Sequence, residues 1–266
     1  MTGGSRGIGR ATALALAREG CSIGICARDE PDLTRTVTDL RILGVAAHGY
    51  VADVAAAGEV ERFVAEAHAD LGRVDLLVAN AGGSAGGRFM ASTPDESATT
   101  FAVNVGHAAR LIRAGVPHLK EVGGGAAVII LSISRWKPAP RPRYGTAKAA
   151  EIQLAAELGR ELAPDRIRVN AVSPGSIQFP GGGWGRMRND EPDRFQAFLD
   201  RDLLHGLLGT AEEVADVITF VLFDRASWVT GTHVCATGRR AAPPPRPGDQ
   251  RAAFSTAGLC DARGDR

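Results

Sequence analysis

Short apolar runs alternate with longer amphipathic segments along most of this chain, and that alternation leaves few folds open. CSIGICA (21–27), VAAHGYVAD (45–53), VDLLVANAG (74–82), AAVIILSIS (126–134), RIRVNAVSPG (166–175) and THVCA (232–236) are apolar runs of strand length. Between them, 29–44, 55–72, 95–120, 144–163 and 210–223 carry helical spacing. Pro31 sits in a first helical turn, Gly44 follows a helix end, and Thr210 with Glu213 forms a capping box. Strands that are apolar throughout are buried on both faces. The pattern therefore predicts an α/β fold with a parallel sheet between two layers of helices.

Composition narrows the function. A net charge of +1 gives no electrostatic reason to bind nucleic acid or an anionic membrane. No apolar run approaches the ~20 residues of a membrane span. The four cysteines (Cys21, Cys26, Cys235, Cys260) form no CxxC pair and have no histidine at metal spacing. They read as reduced thiols of a cytoplasmic protein, with no metal site expected. No linker interrupts residues 1–239, which read as one domain. Residues 240–266 are rich in Pro, Arg and Gly and are expected to be disordered.

The first residues, TGGSRGIGRATALALAREG, run from a glycine turn straight into a helix. The pattern is T-G-x-x-x-G-x-G, with Thr2, Gly3, Gly7 and Gly9 at the defining positions and Ser5, Arg6 and Ile8 between them. Glycines permit a tight turn and close approach of the backbone to a pyrophosphate, which then meets the free N–H groups of the helix N-terminus. An acidic residue about twenty positions on would bind the ribose 2′-hydroxyl of NAD. Arg28 stands there instead, and Arg6 lies in the turn. Two guanidiniums suit a 2′-phosphate, so NADP(H) is expected over NAD(H).

The second functional stretch is Ser132 to Lys148, SISRWKPAPRPRYGTAK. Tyr144 and Lys148 stand four apart and share one face of a helix. Ser132 lies at the end of the preceding strand, with Ser134 as a rival two residues on. A hydroxyl, a phenol and an ammonium are the parts of a proton-transfer site. The basic set Arg135, Lys137, Arg141 and Arg143 reads either as a solvated loop or as a steering patch for an acidic carrier substrate.

These motifs, with NAG at 80–82, Asn104 in NVG and PG at 174–175, resemble the short-chain dehydrogenase/reductase (SDR) family over roughly residues 2–238. The resemblance is to the short single-domain branch, 3-oxoacyl-(acyl carrier protein) reductase-like. It implies a doubly wound parallel sheet, the Rossmann fold, and hydride transfer between NADP(H) and a ketone or secondary alcohol, either free or acyl-carrier-linked. Tyr144 would then be the general acid or base. Lys148 would hold the nicotinamide ribose and favour the phenolate, and Ser132 would bind the substrate oxygen. Asn104 would support Lys148. Asp53 and Val54 would contact the adenine, Asn80, Ala81 and Gly82 would form the cofactor-side turn, and Pro174, Gly175 and Ile177 would meet the carboxamide. A homodimer or homotetramer is implied, with 95–120 and 144–163 in the commoner dimer interface.

Two departures from the family matter. Relatives carry an apolar strand immediately before the glycine turn, whereas only Met1 precedes Thr2 here. Without that central strand, facing rows of backbone groups lose partners at ~1–3 kcal/mol for each buried orphan. The chain as written is expected to fold poorly unless a neighbouring segment fills the gap, and a misplaced start is the expected reason. The other departure is Ala236-Thr237-Gly238-Arg239 where relatives have an Asp-Gly-Gly type turn, which weakens the case for a tetramer. Residues 176–209 read as a lid, with FPGGGWG (179–185) as a glycine loop and 190–204 as a helix. Phe195, Phe198 and Leu199 share that helix's face, either against substrate or in the core, and Trp184 is a candidate substrate contact. The alternatives are a catalytically impaired nucleotide-binding protein and an extended-branch epimerase or dehydratase. The second requires a C-terminal substrate domain that this sequence does not contain.

Overall fold

A computed structural model of the protein describes residues 1–135 and 141–238. The tail expected at 240–266 and Lys137 of the basic set lie outside them. From the glycine turn the chain enters α1 (Gly7–Arg18), then alternates β1 (Ile23–Ala27), α2 (Glu30–Ile42), β2 (Ala47–Val51), α3 (Glu59–Leu71) and β3 (Leu76–Ala79). Next come α4 (Pro94–Phe101), a π-type turn at Ala102–Gly106, α5 (His107–Glu121), β4 (Gly125–Ile130), α6 (Pro142–Glu161) and β5 (Ile167–Pro174). The lid region holds β6 (Ile177–Gln178), α7 (Gly183–Asp190), α8 (Pro192–Asp202) and β7 (Gly209–Thr210), before α9 (Ala211–Leu222) and β8 (His233–Ala236).

Local chemistry sets the helix ends. The Asp29 carboxylate accepts from the Asp32 N–H at the start of α2. Thr210 and Glu213 form the expected capping box on α9, and Thr93 with Glu96 forms a second one on α4. Gly20 and Gly44 stand just beyond α1 and α2 at φ +85° each, a left-handed conformation that closes a helix and favours glycine.

All strand pairings are parallel, as expected of a doubly wound sheet. The apolar faces bury into two cores, one on each side. One gathers α1, α2 and α9 around Leu16, Ile25, Leu40 and Ile218. The other gathers α3, α5 and α6 around Phe63, Leu111, Ile129 and Val169. Parallel strands with both faces covered explain why the sequence showed continuous apolar runs rather than alternation.

The sheet is divided. β1 pairs only with β2, while β3–β4–β5–β8 is a separate continuous run of four. Among the described residues, Met1 to Gly3 link the two runs within the sheet: Thr2 bridges to both Cys26 and Ala79. Met1 O accepts from the Cys26 N–H (3.1 Å), and the Thr2 N–H donates to Val78 O (2.9 Å). Behind that bridge, where a central strand was expected, lies an apolar cavity of about 480 Å³ flanked by Ile23 and Gly24 on one side and Leu76 and Leu77 on the other.

Three element boundaries differ from the sequence reading. The strand expected over 126–134 ends at Ile130, and Ile133–Arg135 form a 3₁₀ turn. Part of the expected glycine loop at 179–185 is helical, forming the start of α7. The long helix expected at 95–120 is interrupted by the π-type turn, an insertion of one residue that re-aims Asn104.

Candidate active site

The glycine turn is held from below by Thr2, which is fully buried. Its hydroxyl oxygen accepts from the backbone N–H of Asn80 (3.1 Å) and of Ala81 (3.2 Å). Both lone pairs are thereby used, so its hydrogen is left for His107 Nε2, 3.2 Å away. Asn80 closes the same unit from above, its Nδ2 donating to Gly3 O (2.8 Å) and Thr2 O (3.3 Å). Asn80, Ala81 and the turn thus form one hydrogen-bonded unit at the ends of adjacent strands.

That unit has the shape of an anion cradle. Gly3 and Gly7 have φ of +65° and +54°. A Cβ on Gly9 would lie 2.1 Å from Gly3 O, so no side chain can replace its hydrogen without moving the turn. Helix α1 begins after Arg6 with no side-chain cap and no acidic residue in its first turn. Its first N–H groups and the positive end of its dipole therefore remain available to a phosphate. Ser5 is buried, and its carbonyl accepts from Thr36 Oγ1. Arg6, within the turn, and Arg28, just after β1, are both exposed. Asp53 caps the bend after β2, accepting from the Ala55 N–H (2.9 Å), with Val54 buried beside it.

The proton-transfer half stands on α6. Tyr144 is half-buried and faces a crevice of about 450 Å³ that Ser132, Pro174, Gly175, Ile177 and Ile8 also line. Of the two candidate serines, Ser132 lines this crevice. Its rival Ser134 does not line this crevice, and instead donates its N–H to Ser132 Oγ (3.1 Å). Ser132 was expected at a strand end, yet it sits beyond the strand. There it lines the same crevice as Tyr144.

Lys148, one turn below Tyr144, is 2% exposed. Its Nζ lies 5.8 Å from the Tyr144 ring centre and donates to Ile130 O (2.8 Å). Asn104 is buried at the π-type turn, its Nδ2 donating to Gly83 O and Thr100 O (2.7 Å each). A Cβ on Gly82 would meet Asn104 Oδ1 at 2.8 Å and Lys148 Nζ at 3.3 Å, so these three positions adjoin. The expected quartet of Asn104, Ser132, Tyr144 and Lys148 is thus brought to one end of the sheet, beside the cradle.

Several other expectations resolve. Arg143 is buried and donates to Ala85 O and Gly87 O, tying the loop after β3 to α6. Arg135 donates to Ser173 Oγ (3.0 Å). Of the basic set, these two are structural ties rather than a steering patch, while Arg141 is exposed. Phe195 and Phe198 are buried, and Trp184 stacks on Phe198 with ring centres 4.3 Å apart while lining the crevice. Helix α8 therefore uses its aromatic face for packing, and α7 places Trp184 at the crevice. The Phe179 ring lies over Gly7, about 3.2 Å from where a Cβ would stand.

Two buried titratable residues were missed in the sequence. Glu151 and His107 are both fully buried. Glu151 Oε2 lies 3.0 Å from Lys148 Nζ. Burial pushes its carboxyl above the usual range, and Lys148 pulls it back. His107 is driven down to about 4, by burial first and by the Lys148 charge second. A readable signal existed for Glu151. Positions 144, 148, 151 and 155 share one helix face, so a charge at 151 had to lie beside Lys148.

The comparisons with known proteins agree with this geometry. The family model described as enoyl-(acyl carrier protein) reductase matches residues 3–238. Short-chain reductase protein NovJ of Streptomyces niveus is 32% identical over 241 residues, covering 90% of this chain and 92% of that one. Human dehydrogenase/reductase SDR family member 4 is also 32% identical, over 90% and 85% of the two chains. Among solved structures, L-sorbose reductase of Gluconobacter frateurii, complexed with NADPH and L-sorbose, superposes with a TM-score of 0.84 at 29% identity. That match covers 90% of this chain and 94% of the other. A glycine cradle, a Tyr-Lys helix and relatives matched over nine-tenths of the chain lead to one conclusion: this protein is an oxidoreductase of the short-chain dehydrogenase/reductase family, built on a Rossmann-type sheet.

Proposed function

We propose that the protein is an NADP(H)-dependent carbonyl reductase acting on a ketone or its secondary alcohol. The observation that carries this reading is the shared crevice. Ser132 and Tyr144 line the same 450 Å³ space as Pro174, Gly175 and Ile177, so a carbonyl held by the two hydroxyls sits beside the expected nicotinamide position. The cradle of Gly3, Gly7 and Gly9 fits a pyrophosphate, and Arg6 with Arg28 suits a 2′-phosphate. When bound, the nicotinamide supplies the hydride.

The protein's own part is to place and protonate. Ser132 donates a hydrogen bond to the carbonyl oxygen as negative charge develops there. Tyr144 delivers its phenolic proton to that oxygen, completing the alcohol. The phenolate left behind is stabilised by the Lys148 ammonium, and the reverse sequence oxidises the alcohol. Trp184 lines the wall of the crevice beside Ser132 and Tyr144, where it can contact the substrate. Tyr144→Phe removes the proton donor and is expected to lower turnover by about 10²–10⁴. An unchanged rate would overturn the mechanism.

The divided sheet supports a second reading, a nucleotide-binding protein with impaired catalysis. NADPH binding with no turnover across a ketone panel would favour it.

A further inference from the structure

We propose that Glu151 is a positioning residue for this reaction: its carboxylate, in contact with the Lys148 ammonium, limits how much of that cation's field reaches the Tyr144 hydroxyl. The inference rests on the proposed role of Tyr144 and deepens it.

The geometry is direct. Lys148 and Glu151 are three apart on α6, so both project from one face. Their side chains are 2% and 0% exposed. Nζ lies 3.0 Å from Oε2 and donates to Oε1 at 3.4 Å. On its other side the same Nζ is 5.8 Å from the Tyr144 ring centre. The ammonium therefore stands between a carboxylate in contact and a phenol farther off. With water excluded, neither interaction is screened as it would be at the surface.

The other groups around this ammonium do not replace the carboxylate. From β4 comes the neutral Ile130 carbonyl, and from the π-type turn the neutral amide of Asn104. From α5 comes His107, which burial and the Lys148 charge keep neutral down to about pH 4 and which also feels Arg110. Glu151 is the anion in contact with Lys148. A paired ammonium presents Tyr144 with a dipole, and an unpaired one presents a full charge. The unpaired cation stabilises a phenolate more, so the Tyr144 proton would leave at lower pH.

The test is the pH dependence of alcohol oxidation at saturating NADP⁺ in Glu151→Gln, with Glu151→Asp alongside. The rising alkaline limb is expected about one pH unit lower in Glu151→Gln, giving a rate about tenfold higher on the acidic side of the midpoint, with KM for the alcohol little changed. Glu151→Asp draws the charge back from Nζ and is expected to move the limb the same way by less. A limb that superposes on the wild-type curve overturns the proposal, as does a loss of rate equal at every pH. If Glu151→Gln does not fold, the Asp variant alone decides on the same criterion. Phenolate absorbance of the cofactor complex gives an independent readout. Tyr50 is the other tyrosine, and burial and Asp70 hold its proton well above the usual range. The two proposals fail separately: an active Tyr144→Phe removes the mechanism, whereas an inactive Tyr144→Phe with an unshifted Glu151→Gln removes only this inference.

Discussion

The two halves of the site are built in different ways. The proton-transfer half rests on β3–β4–β5, an unbroken run of paired strands, and on the twenty-residue helix α6. Tyr144 and Lys148 are placed by helical spacing and by a packed core. The cofactor half lies across the break in the sheet, joined to the rest by Met1–Gly3 and by the side chains of Thr2 and Asn80. Helices pack against both halves, but within the sheet itself the cofactor half is joined by a few buried hydrogen bonds. Within the sheet, a substitution at Thr2 therefore removes a larger share of the connection than one under α6.

Thr2→Val should sharpen this contrast most. It keeps the shape but leaves the N–H groups of Asn80 and Ala81 without acceptors, costing about 1–3 kcal/mol each. A fall of about 2–6 kcal/mol is expected in urea unfolding, read as a lower midpoint at unchanged slope, with Thr2→Ser close to wild type. A midpoint unmoved by Thr2→Val would show that the bridge matters little.

Acid should act on the same point. His107 has an ordinary value of 6.5 and is held at about 4 in the fold. Between those pH values the unfolded chain takes up the proton and the folded one resists it. Stability attributable to His107 is therefore complete above 6.5, falls as pH drops, and is lost by about 4, a change of about 3 kcal/mol at ~1.4 kcal/mol per unit. A proton on Nε2 would also oppose the Thr2 hydroxyl hydrogen. Glu151, raised rather than lowered, contributes with the opposite sign. The comparison with His107→Gln isolates the histidine: its melting curve should lose this part of the slope between pH 6.5 and 4. Parallel curves would contradict the assignment.

Arg28→Ala is expected to have the smallest effect. It removes a charge-assisted contact worth about 1.5–3 kcal/mol, so NADPH affinity should fall about 10–150-fold while NADH affinity holds. Equal loss for both cofactors would remove Arg28 from 2′-phosphate recognition.

Much of this arrangement was legible in the sequence, for physical reasons. The strands were readable because burial on both faces leaves them apolar throughout, and Tyr144 with Lys148 because a helix fixes which residues share a face. The break in the sheet was expected only through the family resemblance, which places a strand before the glycine turn. Ser132 was singled out, but its place beyond the strand was not read, because a 3₁₀ turn three residues long leaves no periodicity. The π-type turn around Asn104 was equally hidden, since one inserted residue barely disturbs a helical pattern. His107 escaped notice because its burial depends on neighbours distant in sequence, whereas Glu151 was readable from the helix face it shares with Lys148. Phe195 and Phe198 fitted lid and core equally well, and only the fold placed them inside.

The two halves are held in different ways and come together at the crevice. An NADPH titration of Tyr144→Phe, followed by cofactor fluorescence beside its turnover, tests this most directly. The account expects an affinity within about twofold of wild type while turnover falls by about 10²–10⁴. Affinity that falls in step with turnover would contradict it.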